Sequence, residues 1–392
     1  MIRRVVASDS VTITGVVIGL ISLLVGWLTL KPNRISAGIS FSFHESVGWT
    51  GLAIILALWL VCFSLSYFRK EKIPALILGA AANLILVLSF VFAGLSATRL
   101  LEGEVPYARV SLGVGFWMTL VATYIIIFAS RQRLENSPVL RNMVSWTGVV
   151  FLMFLLIAGW FKDFSVLQEF AGHEERFVQE LLHHIFLVGI SVATGTILGI
   201  TLGIWATRSK RAERPIFFIA NITQTIPSLA LFGLLIAPLS ILSFTFPALR
   251  EIGIRGVGDT PAIIALIIYS LLPIVRNTYV GLQQVDKAVI DAGTGMGMSR
   301  IQVFRKIEVP LAAPLVLEGV RTASVQSVGL AAVAALIGAG GLGWFIFQGL
   351  GQAATDLILL GAIPIIVLAI MVDAIMRTMV KMATPEGLAG GN

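Results

Sequence analysis

The sequence predicts an all-α polytopic membrane protein of about ten transmembrane helices with both termini in the cytoplasm. Composition sets the class: 57% of residues are hydrophobic, 12% are charged and the mean hydropathy is +0.93. Such a chain cannot cover its apolar surface with a polar exterior. The apolar residues fall into about ten stretches near the roughly 20 residues needed to cross a bilayer. Their lack of strict alternation excludes a transmembrane barrel.

The expected spans run Val11 to Leu30, Gly48 to Phe68, Ile73 to Leu95, Ala108 to Ser130 and Asn142 to Phe161. A second set covers Leu182 to Thr207, Ile216 to Leu242, Pro261 to Leu282, Ala313 to Gly338 and Asp356 to Met379. With the N-terminus inside, Arg3, Arg4, Arg69, Lys70, Lys72, Arg131, Arg133 and Arg141 all fall on the cytoplasmic side. So do Arg208, Lys210, Arg211, Arg214, Lys287, Arg300, Arg305, Lys306, Arg377 and Lys381. The outer loops keep only scattered cations such as Lys31, Arg34, Arg99, Lys162, Arg250 and Arg255, which satisfies the positive-inside rule. The net charge of +7 therefore reports topology, and nucleic acid is not an expected partner. The first span is too long for a signal peptide and lacks a small-residue cleavage site after it. Cys62, inside an apolar run, reads as a buried small hydrophobe.

A polar outer segment around Gly172 divides the chain into an accessory membrane region, 1–170, and a second region, 175–382, followed by a flexible tail, 383–392. Glu175 to Ile185 reads as an amphipathic stretch at the outer interface. Gly195, Gly199 and Gly203 form a row that permits close helix approach. His183 and His184, adjacent in sequence, point to different helix faces, so no metal site is expected with Glu174 and Glu175. Asn221-Ile222-Thr223 matches a glycosylation sequon but lies inside a span.

The second region carries the chemistry. Asp286 can cap a helix that runs through Asp291 and Ala292 and ends at Gly297, where a positive φ is available. Ser299 with Gln302 forms a capping box for a second short helix, and Pro310 marks its end. Ile301, Phe304 and Ile307 recur on one face, with Arg300, Arg305 and Lys306 around it, a ridge suited to a groove on another protein. Gly293 and Gly295 each cost about 1 kcal/mol against alanine, so the first helix is expected to be frayed or shortened unless a partner holds it.

The pattern D-A-G-x3-G-x9-I-x-V-P over Asp291 to Pro310 resembles the Glu-Ala-Ala loop of permease subunits in bacterial ATP-binding-cassette importers, E-A-A-x3-G-x9-I-x-L-P. The resemblance extends over Glu175 to Met379 and is closest to the osmoprotectant group importing glycine betaine, choline or carnitine. Gln224 to Leu231, Leu271 to Tyr279 and Ala335 to Gly343 carry it further. Asp291 stands for the usual glutamate, Gly293 for the second alanine and Val309 for the leucine. The resemblance implies a type I importer permease in the bacterial cytoplasmic (inner) membrane. Two ATPase subunits would dock on loop 286–310, at Asp291, Ala292, Gly293, Gly297, Arg300, Phe304, Arg305, Ile307 and Pro310. It further implies a second permease subunit, identical or homologous, and a periplasmic or lipid-anchored substrate-binding protein. ATP and magnesium would sit on the ATPase, since this chain has no G-x4-G-K-[ST], and its G-x-G-x-x-G, Gly338 to Gly343, follows a membrane helix rather than a strand.

Polar residues within the spans are the pathway candidates. Gln224, Thr225, Pro227 and Ser228 surround a helix-interrupting proline, and Tyr269 and Asn277 lie on the following span. Arg276, Glu318, Arg321 and Asp373 are expected to form buried ion pairs near cytoplasmic helix ends. Tyr269, Tyr279, Phe232 and Trp344 offer aromatic faces to a quaternary ammonium group, although packing is the commoner role for such residues. The first spans lack acidic residues and read as an accessory domain. An ion-coupled secondary transporter is the alternative for the whole chain, and a non-transporting scaffold for its N-terminal half.

Overall fold

The computed structural model describes residues 9–34, 36–68 and 71–384. Of the basic residues assigned inside, Arg3, Arg4, Arg69 and Lys70 lie outside the described residues, as does 385–392 of the tail. The chain divides into two compact units, Met1–Gly172 and His173–Asn392. Among the described residues eight helices are long and apolar enough to cross a membrane, and two shorter apolar helices, Ser10–Ser22 and Trp49–Leu65, accompany them.

The first unit contains α1 (Ser10–Ser22), β1 (Leu28–Lys31), β2 (Ile39–Phe41), α2 (Phe43–Val47), α3 (Trp49–Leu65) and α4 (Lys72–Leu101). It continues with β3 (Arg109–Leu112), α5 (Val114–Arg133), α6 (Pro138–Ile157) and α7 (Ser165–Gly172). The expected helices Val11 to Leu30 and Ala108 to Ser130 are thus each part strand. Side chains in β1 alternate between buried and half-buried, a period of two that an adjoining apolar run conceals in sequence. The sheet is antiparallel in the order β2-β1-β3, with Leu28 facing Phe41 on one side and Leu112 on the other.

Bulk fills this unit. Trp27, Phe43, Trp59 and Phe116 are fully buried. Trp27 meets Phe43 at 4.6 Å and Phe116 at 5.3 Å, and Phe90 meets Phe116 edge-on at 5.0 Å, contacts worth roughly 0.5–1.5 kcal/mol each beyond burial. Asn83 on α4 donates to Gly79 O and Val144 O and accepts from Gly148 N–H, so its amide is satisfied inside the bundle. Glu169 on α7, 1% exposed, accepts from Arg34 and Arg109 beside the sheet. At the other end Arg133 donates to Asp9, 2.7 Å, and to Leu65 O, tying together α1, α3 and α5. Burial pushes the Asp9 carboxyl up, but hydrogen bonds from Arg133 and Thr12 outweigh it and hold it below its ordinary value.

The second unit begins with α8 (Glu174–Arg208), α9 (Lys210–Thr225), α10 (Ser228–Thr245), α11 (Pro247–Glu251) and α12 (Asp259–Gln283). After them come α13 (Lys287–Gly295), α14 (Arg300–Val303), a π-helical turn (Phe304–Glu308), α15 (Val309–Val333), a 3-10 turn (Ala334–Ile337), α16 (Gly343–Gly351) and α17 (Thr355–Ala383). The stretch from Glu175 to Ile185 is the first part of α8 and not a separate interfacial helix. The expected span Ile216 to Leu242 is broken into α9 and α10, because Ile226 precedes a proline and takes an extended backbone.

Small residues form the seams here. Gly195, Gly199 and Gly203 face Ser270, Ile274 and Thr278 of α12, one turn apart on both helices. A Cβ at Gly199 would sit 2.7 Å from Ile274, and one at Gly203 2.6 Å from Thr278. On an adjoining face α12 meets α15, where a Cβ on Gly319 would lie 2.7 Å from Pro273 O. Apolar residues are buried here as well, among them Phe232, Phe345, Leu187 and Leu266, and Ile274, Val320 and Ala323 form a small cluster bordered by Val192, Ile200 and Met376.

Candidate functional site

The Asp291 element is built from its caps inward. Asp286 accepts from Ala288 N–H at 2.8 Å and starts α13. The helix ends in a paired-carbonyl turn: Met298 N–H reaches Gly293 O at 3.2 Å and Gly297 N–H reaches Thr294 O at 2.9 Å, with Gly297 at φ 83°. Ser299 and Gln302 then exchange reciprocal bonds and start the next helix.

Two expectations about this element need correction. Pro310 does not end the second helix, which continues through the π-helical turn into α15. The turn widens because Pro310 has no N–H for the preceding carbonyl, and Val309 N–H bonds back to Phe304 O instead. Ile301, Phe304 and Ile307 do not share a face: Ile301 is 67% exposed, whereas Ile307 packs under α13. The helix α13 spans nine residues and stops at Gly295. A Cβ on Gly293 would stand 2.5 Å from Ile307 Cδ1, the flexible end of the side chain that packs under α13.

The outcome is an exposed knob. Asp291, Ala292, Arg300 and Arg305 face solvent, and no described residue forms an ion pair with Asp291. Met296, 73% exposed, and Ile301 supply an apolar tip among these charges. Its base is anchored by a pair not singled out from sequence, Arg208 at the end of α8 with buried Glu308, and the Arg208 guanidinium also lies 5.5 Å from the Phe304 ring. The available signal was Glu308 itself, an acid beside a membrane helix that needs a partner.

The pathway candidates divide. Gln224 donates to Tyr269 O at 2.8 Å, and buried Tyr269 donates its hydroxyl to Ile226 O, the carbonyl beside the proline break. These two bonds lock the α9–α10 break against α12. Thr225 bonds only to Ile222 O in its own helix, Pro227 and Ser228 begin α10, and Asn277 donates to Pro273 O within α12. Arg321 donates to Glu318 at 2.7 Å and to Asp373 at 2.6 Å, and Arg377 joins Asp373 at 2.7 Å. This cluster is half-exposed rather than buried. Arg276 is exposed and forms no ion pair among the described residues, because it lies on the opposite side of α12 from the buried Ile274 and Thr278.

Residues 8–167 match the N-terminal domain of the ABC transporter permease YehY, and residues 195–383 match the binding-protein-dependent transport system inner membrane component. The glycine betaine/carnitine/choline transport system permease protein OpuCB of Bacillus subtilis is 40% identical over 207 residues, covering 53% of this chain and 88% of that one. The chain belongs to this family of importer permeases. The osmoprotectant import permease protein OsmW of Salmonella typhimurium is 38% identical to the permease over 205 residues, 52% of this chain and 90% of that one. A solved structure of the MetNI methionine ABC transporter covers 53% of the permease and 96% of its own chain at 21% identity, with a TM-score of 0.46. The permease is a multi-pass membrane protein, and its family implies ATPase and substrate-binding partners.

Proposed function

We propose that the permease forms the translocation path of a bacterial inner-membrane importer for small quaternary-ammonium osmoprotectants, the class named for its relatives. In this reading the Asp291 knob lies in the cytoplasm and docks on an ATPase that binds ATP and magnesium, while this chain has no ATPase site of its own. Two ATPase subunits, a second permease subunit and an external binding protein complete the complex, and the first unit is an accessory membrane domain.

The observation that carries the coupling role is the knob's construction, an exposed charged and apolar tip on a rigidly capped base. Arg208 and the unbroken passage from α14 into α15 join that base to two membrane helices. Movement of the ATPase pair would therefore tilt α8 and α15 as bodies, which is alternating access driven from outside the chain.

Reconstitution with the partner ATPase tests this. Gly297→Val forces a β-branched residue to a positive φ at a cost of about 1–3 kcal/mol, and Asp291→Arg reverses the tip's acid. Both variants should reach the membrane, lose ATPase retention by roughly tenfold for each 1.4 kcal/mol of lost contact, and lose uptake with it. Full ATPase retention by the folded double variant would refute the docking role.

A further inference from the structure

The opposite end of the second unit holds a cavity of about 420 Å³ that the coupling element does not involve. Its walls are the first turns of α8, the start of α12 and the glycine turn after α15. That turn is close because Gly338 and Gly340 hold positive φ, and a Cβ on Gly340 would lie 2.8 Å from Glu180 Oε2. Inside, the Arg176 guanidinium lies 3.7 Å from the centre of the Trp344 ring and donates to Glu180 at 3.1 Å. Across the opening His183 Nε2 and Asp259 Oδ1 are 3.0 Å apart.

We propose that this cavity binds a small quaternary ammonium solute on the Trp344 face, and that Arg176 is a resident cation which the solute displaces. This rests on the substrate class proposed above. An onium group donates no hydrogen bonds, so a ring face and carboxylates are what can hold it, and indole is the strongest such face. A cation already in van der Waals contact with the ring shows that the local field favours positive charge there. Arg176 can leave: its side chain is 48% exposed and hangs from the first turn of α8. Glu180 cannot, since its side chain is only 12% exposed beneath the glycine turn. With Arg176 swung into water, Glu180 loses its guanidinium partner beside the vacated ring, and Asp259, paired with His183, lies across the opening. The volume falls within the roughly 300–1,000 Å³ range of small-ligand sites.

The test uses the permease–ATPase complex in nanodiscs of phosphatidylethanolamine and phosphatidylglycerol, without binding protein, with choline and tetramethylammonium as probes. Saturation-transfer NMR on the methyl protons reads binding. Arg176→Gln should tighten it about two- to fivefold by removing the competitor, and Trp344→Leu should weaken it by about fivefold or more. Trp344→Phe, which keeps a ring and guards against misfolding of the leucine variant, should fall between. Equal binding by wild type and Trp344→Leu, or no gain from Arg176→Gln, would overturn the site. Competition by added phosphatidylcholine would assign it to a lipid headgroup and overturn the solute assignment. Uptake by the full system separates the two readings. Import of glycine betaine with no Trp344-dependent binding rejects the cavity alone, whereas failure to import any quaternary amine rejects the substrate class whatever the discs show.

Discussion

The two units solve the same packing problem with different emphasis. The first is filled by its largest side chains, Trp27, Phe43, Trp59 and Phe116, closed at one end by a sheet and at the other by Asp9 and Arg133. The second is seamed by its smallest, with Gly195, Gly199, Gly203 and Gly319 bringing α8 and α15 against adjoining faces of α12. Interdigitated bulk resists sliding, because each shift opens a void that its neighbours cannot fill. A seam of small residues presents a smooth surface along which helices can shift as bodies. This contrast supports the proposal that the second unit carries the moving pathway and the first serves as a fixed accessory.

The contrast predicts that shrinking a side chain hurts the first unit and enlarging one hurts the second. Trp59→Ala should have the largest effect, about 3–5 kcal/mol of lost stability, since it removes a fully buried ring that covers Gly19. Thermal unfolding in detergent measures the loss, and uptake per folded complex should stay near the wild-type value. A fall in uptake per folded complex would break the comparison by making the first unit part of the transport machinery. Trp59→Phe is the milder control, because Trp59 Nε1 has no protein partner to lose.

Gly203→Leu is the converse test, with an expected cost of about 1–3 kcal/mol. Its Cβ would meet Thr278 at 2.6 Å and Val275 O at 3.0 Å, and the backbone oxygen cannot step aside. Here uptake per folded complex should drop along with stability, because the seam itself is prised open. Retained uptake in a folded Gly203→Leu permease would show that the seam does not need close approach.

Which parts of this arrangement are legible in the sequence follows from the range of the interactions. Membrane helices announce themselves through runs of about 20 apolar residues. The caps at Asp286, Ser299, Gln302 and Gly297 are equally local, since each acts within about four residues. The strands Leu28–Lys31 and Arg109–Leu112 are hidden, because a four-residue stretch flush with an apolar run is too short to show a period of its own. Arg208 and Glu308 sit 100 residues apart, so their pairing exists only once α8 and the π-helical turn have packed. The outward turn of Ile301 depends on that same widened turn, which re-phases every side chain before it relative to α15. Arg276 fails for a similar reason: an ionisable residue near a helix end shows that a partner or solvent is needed, but not on which side of the helix it lies.

The smallest expected effect falls on the knob, where the family pattern has alanine and this chain has Gly293. Two opposing terms nearly cancel in Gly293→Ala. Alanine gains about 1 kcal/mol of helix propensity. Against this, its methyl would lie 2.5 Å from Ile307 Cδ1, yet that atom is the end of a flexible side chain and can rotate away. Stability should therefore change by less than about 1 kcal/mol, and ATPase retention should be unchanged within error. Gly293→Ala with Ile307→Val relieves the contact and leaves only the propensity gain, so the pair should be slightly stabilising in the same melt. If the single variant instead released the ATPase, the register of α13 on the following helix would be the coupling determinant. The second unit would then depend on the fit at its knob as strictly as the first depends on its aromatic core.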